Sequence, residues 1–212
     1  MVTSRLLIVP VLAVALTVTV TVTGCGVEAD PVALPPGAEQ SSPTAGSDAF
    51  AGKYTKLNGA CPTLDGDTAK DLKLPATGTP ADANADTPIS QLVTCTWGTG
   101  AGSVAVLVSI DRHTGTPTAE ERTAGQFEKD WQTSIDDGRT LAAKPVSGVG
   151  DQGYLGVHRD RQSIVLSTRA SNAQVQVSYG VADMEPASFA ATRDKNADTL
   201  VALGRDVLDD LA

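Results

Sequence analysis

The chain has 212 residues, 41% of them hydrophobic but only 4% aromatic, and its 25 acidic against 16 basic side chains leave a formal charge of −9. That length buries a sizeable core in one main domain, and the scarcity of aromatics means the core rests on Val, Leu, Ile and Ala. An acidic balance with no basic cluster repels phosphate backbones and anionic headgroups, which excludes nucleic acid as a partner.

The first element in chain order is an export signal. Arg5 is the one charged residue before an apolar stretch from Leu6 to Thr23, and small residues close it. As a membrane span the stretch is poor: Thr17, Thr19, Thr21 and Thr23 dilute it, and no Trp, Tyr, Lys or Arg marks its outer end. Val22, Thr23, Gly24 and Cys25 resemble the lipobox of bacterial lipoprotein signal peptides, with Val in place of the common Leu. The resemblance implies that residues 1–24 are cleaved as a signal peptide. Cys25 would then remain as a lipidated first residue, anchoring the protein to the extracytoplasmic face of the cell membrane.

Cysteine counting leads to a second expectation. Of Cys25, Cys61 and Cys95, the first is taken by lipid, and an oxidising extracytoplasmic compartment favours joining the other two. Closing that loop of roughly 35 residues stabilises a fold by about 4 kcal/mol in the chain-entropy picture. A metal site needs more ligands than two distant cysteines and two histidines supply.

Residues 25–48 are rich in Pro, Gly, Ser, Ala and acids and have no periodicity, so they read as a disordered tether. Its reach is about 25 Å. The globular domain spans 49–212. Tyr54 to Leu74 is helix-compatible, and the low-complexity run near 75–90 reads as a flexible, exposed insert inside the disulfide loop.

Strands follow. Leu92 to Trp97 leads through GTGAG into Ser103 to Asp111, where Val104, Val106, Val108 and Ile110 alternate with smaller or polar residues. Ser163 to Arg169 pairs across ASNA with Gln174 to Val181, whose Val175, Val177, Tyr179 and Val181 share one face and Gln174, Gln176 and Ser178 the other. One sheet face is thus dry and one wet. Thr118 and Glu121 make a capping box that opens a helix ending at Asp137 and Gly138, with Phe127, Trp131 and Ile135 pressed on the sheet. A second helix, Asp194 to Leu211, backs the sheet at the C-terminus. The expected class is α+β: an antiparallel sheet of five or six strands backed by at least two helices, with one disulfide.

Candidate chemistry is thin. Gly148 to Gly153 satisfies GxGxxG, but a strand-like YLGVH follows where a nucleotide fold needs a helix, so the glycines read as a tight turn entering a strand. His113 and His158 read as solvated strand-end residues. Asp65, Asp67 and Asp71 do not follow the ligand order of a calcium loop and read as loop acids. No GxSxG, HExxH or SxxK motif occurs. No catalytic, cofactor or metal residue is assigned.

The lipobox, the tether, the pair Cys61 and Pro62, the CxW from Cys95 to Trp97, the GVGD turn from Gly148 to Asp151, the VQVSYG strand and the closing ALGRDVLDDL helix together resemble a family of actinobacterial lipoproteins known only as a domain of unknown function. The resemblance implies an exported, lipid-anchored α+β domain with a disulfide, and no catalytic residue. Two functional expectations follow. The first is a non-catalytic module that binds an envelope protein, a glycan or a lipid. The second is an extracytoplasmic hydrolase or sugar-active enzyme with paired acids among Asp111, Asp151 and Asp160. A two-lobed solute receptor is excluded by the length of the domain.

Overall fold

The computed structural model of the protein describes residues 50–159, 163–181 and 184–212. The signal peptide, Cys25, the tether and Asp160 therefore lie outside the described residues. Among the described residues no helix is long and apolar enough to cross a membrane.

Alternating side chains make the centre of the sheet. β3 (Ser90–Trp97) and β4 (Val104–Asp111) form a hairpin, and β7 (Ser163–Ala170) and β8 (Ala173–Gly180) form another. The two hairpins join through β4 and β8, with Val106 opposite Val177. β6 (Gln152–His158) adds to β7, and β5 (Thr140–Val146) closes that edge. On the opposite edge β1 (Thr79–Pro80) and β2 (Ala85–Asp86) both pair with β3. All pairings are antiparallel, and the path runs β1-β3-β4-β8-β7-β6-β5 in a sheet of eight strands. The α+β class holds, with more strands than the five or six expected.

The added strands have physical reasons. β5 carries Pro145 and lacks alternation, yet an edge strand tolerates both. It also bulges between Leu141 and Lys144, where Ala142 takes φ 50°. β1 and β2 lie within the run read as an insert. They are exposed, as expected, but hydrogen-bonded along the outer side of β3, covering an edge that would otherwise face solvent. Gly78 rests on the Trp97 ring, where an added Cβ would stand 2.6 Å from Cε2.

The helices depart from expectation in two ways. The Tyr54 to Leu74 patch is helical only over α1 (Asp67–Asp71), interrupted before it by Gly59, Pro62 and Gly66. The C-terminal helix is two pieces, α3 (Phe189–Lys195) and α4 (Ala197–Asp209), divided at Asn196. By contrast α2 (Ala119–Asp136) starts where the sequence placed it. Glu121 N donates to Thr118 Oγ1 at 3.2 Å, and Thr118 N donates to Glu121 Oε2 at 2.8 Å.

A larger correction concerns the layers. α4 packs on the dry face, with Gly204 against Leu166 and Val149, over a core of Val93, Trp97, Val106, Ile164, Leu166 and Val177. α2 lies on the other face, the one expected to be wet. Both helices do not back a single side, because α2 has a narrow aromatic stripe whose match, Tyr154, points to the polar face.

Cys61 and Cys95 form the expected disulfide, with Cα atoms 5.8 Å apart. The segments on either side of Cys61 pair with residues 210–212: Thr63 N donates to Asp210 Oδ2 at 2.9 Å, and Thr55 N to Ala212 O at 2.6 Å. Beside this seam Asp206 on α4 has a buried, unpartnered Oδ2. Burial, and then the neighbouring Asp65 carboxylate, push its carboxyl above the usual range. A raised folded pKa means that the native state holds this proton more tightly than the unfolded chain. That contribution to stability is complete below the ordinary carboxyl value of about 4 and is lost as pH rises through the raised value. Asp206→Asn is therefore expected to raise the melting temperature at pH 7 and to bring no gain at about pH 3, as read by thermal unfolding at the two pH values.

Candidate functional site

Register across the polar face places four side chains in one row: Leu107 on β4, Gln176 on β8, Ser167 on β7 and Tyr154 on β6. Strand alternation puts them all on the side opposite the main core. α2 lies over the Tyr154 end of this row. Trp131 stacks on Tyr154 with ring centroids 4.8 Å apart and planes 15° from parallel, and Phe127 lies 5.8 Å from the same ring. Gly156 makes the approach possible. A Cβ there would clash with Thr140 and stand 3.3 Å from the Trp131 ring, so this strand glycine marks a close contact.

Other contacts fix the helix along its length. Near its start, buried Thr123 donates from Oγ1 to Ala119 O at 2.7 Å, and its own carbonyl accepts from Gln174 Nε2 at 3.3 Å. Near its end, Ser134 and Thr140 share a hydroxyl–hydroxyl bond of 2.6 Å. In the middle, Tyr154 donates to Glu128 Oε2 at 3.0 Å. Burial, reinforced by that carboxylate, holds the Tyr154 phenol above its usual pKa, so it stays a neutral donor.

Because the aromatic stripe holds α2 at the β6 end, the rest of the row is not filled. A cleft of about 380 Å³ remains, floored by Leu107, Gln176, Gln174 and Ser167, walled by α2, and closed at one end by Arg139, Thr140 and His158. This is within the size range of small-molecule sites. A second hollow of about 310 Å³, lined by Ser109, Asp111 and Arg122, borders the cleft at Gln174, whose Nε2 donates across to Thr123 O on α2; cleft and hollow together make up the groove along α2. A wider recess of about 550 Å³ elsewhere is lined by Lys53, Arg205, Asp151 and Asp209, charges of both signs.

The groove floor is uncharged. The arginines at its rim are matched within the protein: Arg122 Nε lies 3.0 Å from Asp111 Oδ2, and Arg139 Nη2 lies 3.2 Å from Asp137 Oδ2. Asp130 accepts from Gln126 Nε2 at 2.6 Å. The floor differs, because nothing in the described fold hydrogen-bonds the Gln176 carboxamide or the Ser167 hydroxyl, and both are only half-buried. Such a floor offers hydrogen-bond donors and acceptors.

The predicted site residues fall as follows. Cys61 and Cys95 are joined away from the groove, between the segment before α1 and β3. Phe127 and Trp131 are core residues, 4% and 6% exposed. Of the GxGxxG glycines, Gly148 and Gly150 form the turn between β5 and β6, with φ of 81° and 58°, and Gly153 lies within β6. Of the loop acids, Asp67 and Asp71 bound α1. His113 follows β4, its N–H donating to Asp111 Oδ1. His158 ends β6 as expected, but it is half-buried and lines the cleft, a place that no local pattern marks. Asp111 and Asp151 do not act as a free pair. Asp111 pairs with Arg122, while Asp151 pairs with Arg169 at 3.2 Å and accepts from Ser171 N at 2.7 Å.

Fold and groove together define a class: an antiparallel sheet with helices on both faces and a polar groove between one helix and the sheet. Comparison with protein-family models, curated proteins and solved structures finds no match to this chain.

Proposed function

We propose that the chain is an envelope lipoprotein, held by a lipid on Cys25 to the extracytoplasmic face of the membrane, whose folded domain is a non-catalytic binding module. The observation that carries the binding role is the groove beneath α2, whose floor holds the Gln176 carboxamide and the Ser167 hydroxyl without protein partners. The lipobox-like run from Val22 to Cys25 supports the location, and so does a disulfide of the kind that persists in oxidising compartments. Membership in the actinobacterial lipoprotein family is part of the same proposal. The hydrolase reading is disfavoured because Asp111 and Asp151 are each held by an arginine in a structural contact.

Metabolic labelling with palmitate and intact-mass measurement test the anchor. The native chain is expected to take up label and to begin at Cys25, and Cys25→Ser to take up none. Label that persists in Cys25→Ser, or a native chain that retains residues 1–24 without lipid, contradicts the proposal.

A further inference from the structure

We infer that the groove takes a neutral oligosaccharide, an inference that rests on the reading of the groove as a binding site. Three observations narrow the ligand. First, the groove's arginines are spent: Arg122 and Arg139 already pair with Asp111 and Asp137 at the rim, and Asp130, held by the neutral Gln126 amide, adds a negative charge, so an anionic ligand gains little. Second, the floor lies over β8 and β7, interior strands whose backbone groups are committed to β4 and β6 on either side. A peptide that binds by strand addition needs an open edge, and here only side chains are on offer. Third, Phe127 and Trp131 line the cleft but are only 4% and 6% exposed, most of their ring surface being spent on Tyr154 and the fold, so a wholly apolar ligand finds little open surface besides Leu107.

What remains is chemistry that hydroxyl groups fit. The carboxamide of Gln176 and the hydroxyl of Ser167 each both donate and accept, as a sugar hydroxyl does, and Gln174, whose Nε2 donates to Thr123 O, keeps its carbonyl oxygen as an acceptor. Two glutamines at alternate positions of one strand present these groups about 7 Å apart, the repeat of an extended strand. Leu107 beside them gives a nonpolar patch for the C–H face of a sugar ring. The second hollow beside Gln174 gives room for a linked unit outside the cleft.

The test is a titration of the full ¹⁵N-labelled chain, in detergent, with chitotriose, cellotriose, maltotriose and mannotriose, and separately with trigalacturonate and trialanine. At least one neutral trisaccharide is expected to shift the Gln174 and Gln176 carboxamide signals saturably. Gln176→Leu is expected to weaken that binding about tenfold, the effect of one well-made hydrogen bond. Ser167→Val checks the same floor at a second position, and the amide spectrum of each variant reports that it is folded. If the four neutral sugars leave the groove unmoved while trigalacturonate or trialanine shifts it, the saccharide inference fails and the groove stands as a binding site. If all six leave it unmoved, or shift only residues elsewhere, both readings fail.

Discussion

Replacing Cys61 and Cys95 together by alanine is expected to lower the free energy of unfolding by about 4 kcal/mol, read from chemical denaturation at equilibrium. The bridge spans 34 positions in sequence, and the entropy that it removes from the unfolded chain at that loop length is about 4 kcal/mol. The loop contains α1, β1 and β2. Two-residue strands contribute little cooperative pairing of their own, so the bridge does for this segment what long strands do elsewhere. Hydrogen exchange in the double variant is therefore expected to quicken first between residues 62 and 90, before the β4–β8 centre. A loss below about 1 kcal/mol would mean that native contacts already fix the loop, and that the bridge is incidental to the fold.

Asn172→Ala is expected to cost a comparable amount, about 3–4 kcal/mol, through a different mechanism. Asn172 is fully buried in the two-residue turn between β7 and β8, where Ser171 takes φ 50°. Its Oδ1 accepts from Tyr54 N at 2.9 Å, and its Nδ2 donates to Tyr54 O at 2.7 Å and to Asp111 O at 2.6 Å. One carboxamide thus ties the N-terminal segment to the hairpin turn and to the end of β4. Gly52 allows the approach, since a Cβ there would come within 2.6 Å of Asn172 Cγ. Alanine strands those backbone groups, each costing about 1–3 kcal/mol when buried and unpaired, with partial relief from relaxation. Asn172→Asp should be no better, because it keeps the acceptor, loses both donors and buries a charge. Thermal and denaturant unfolding of both variants check this, and a loss below about 1 kcal/mol would show that water replaces the clamp.

These two elements also show what the sequence made legible. Cysteine parity picked out Cys61 and Cys95 because pairing is a matter of counting once Cys25 is set aside. Strong local periodicity placed β4, β7 and β8, and a capping box placed the start of α2 to the residue. Asn172 was read only as part of a turn, because its role depends on Tyr54, 118 positions away. β5 was missed for the reason that it is tolerated: Pro145 and the bulge spoil alternation, and an edge absorbs both.

The groove was half legible. Alternation assigned Gln174 and Gln176 to a polar face, but nothing local said that a helix would lie over it. The signal was distributed: a narrow aromatic stripe at Phe127 and Trp131, a tyrosine on the polar face of β6, and Gly156 two residues later, where a helix can come close. Read together, they put α2 on the opposite side of the sheet from α4. In the resulting groove the arginines at the rim are locked in pairs and the floor is neutral. A tether with a reach of about 25 Å would present such a groove near the membrane surface without pressing it there.

Native mass spectrometry of the protein isolated from its own envelope, beside the Gln176→Leu variant prepared identically, tests the binding role of the groove most directly. The account predicts a bound mass on the native protein that is depleted in the variant, while the two unfold at similar temperatures. The same bound mass at equal occupancy in both, or none on the native protein, would contradict it.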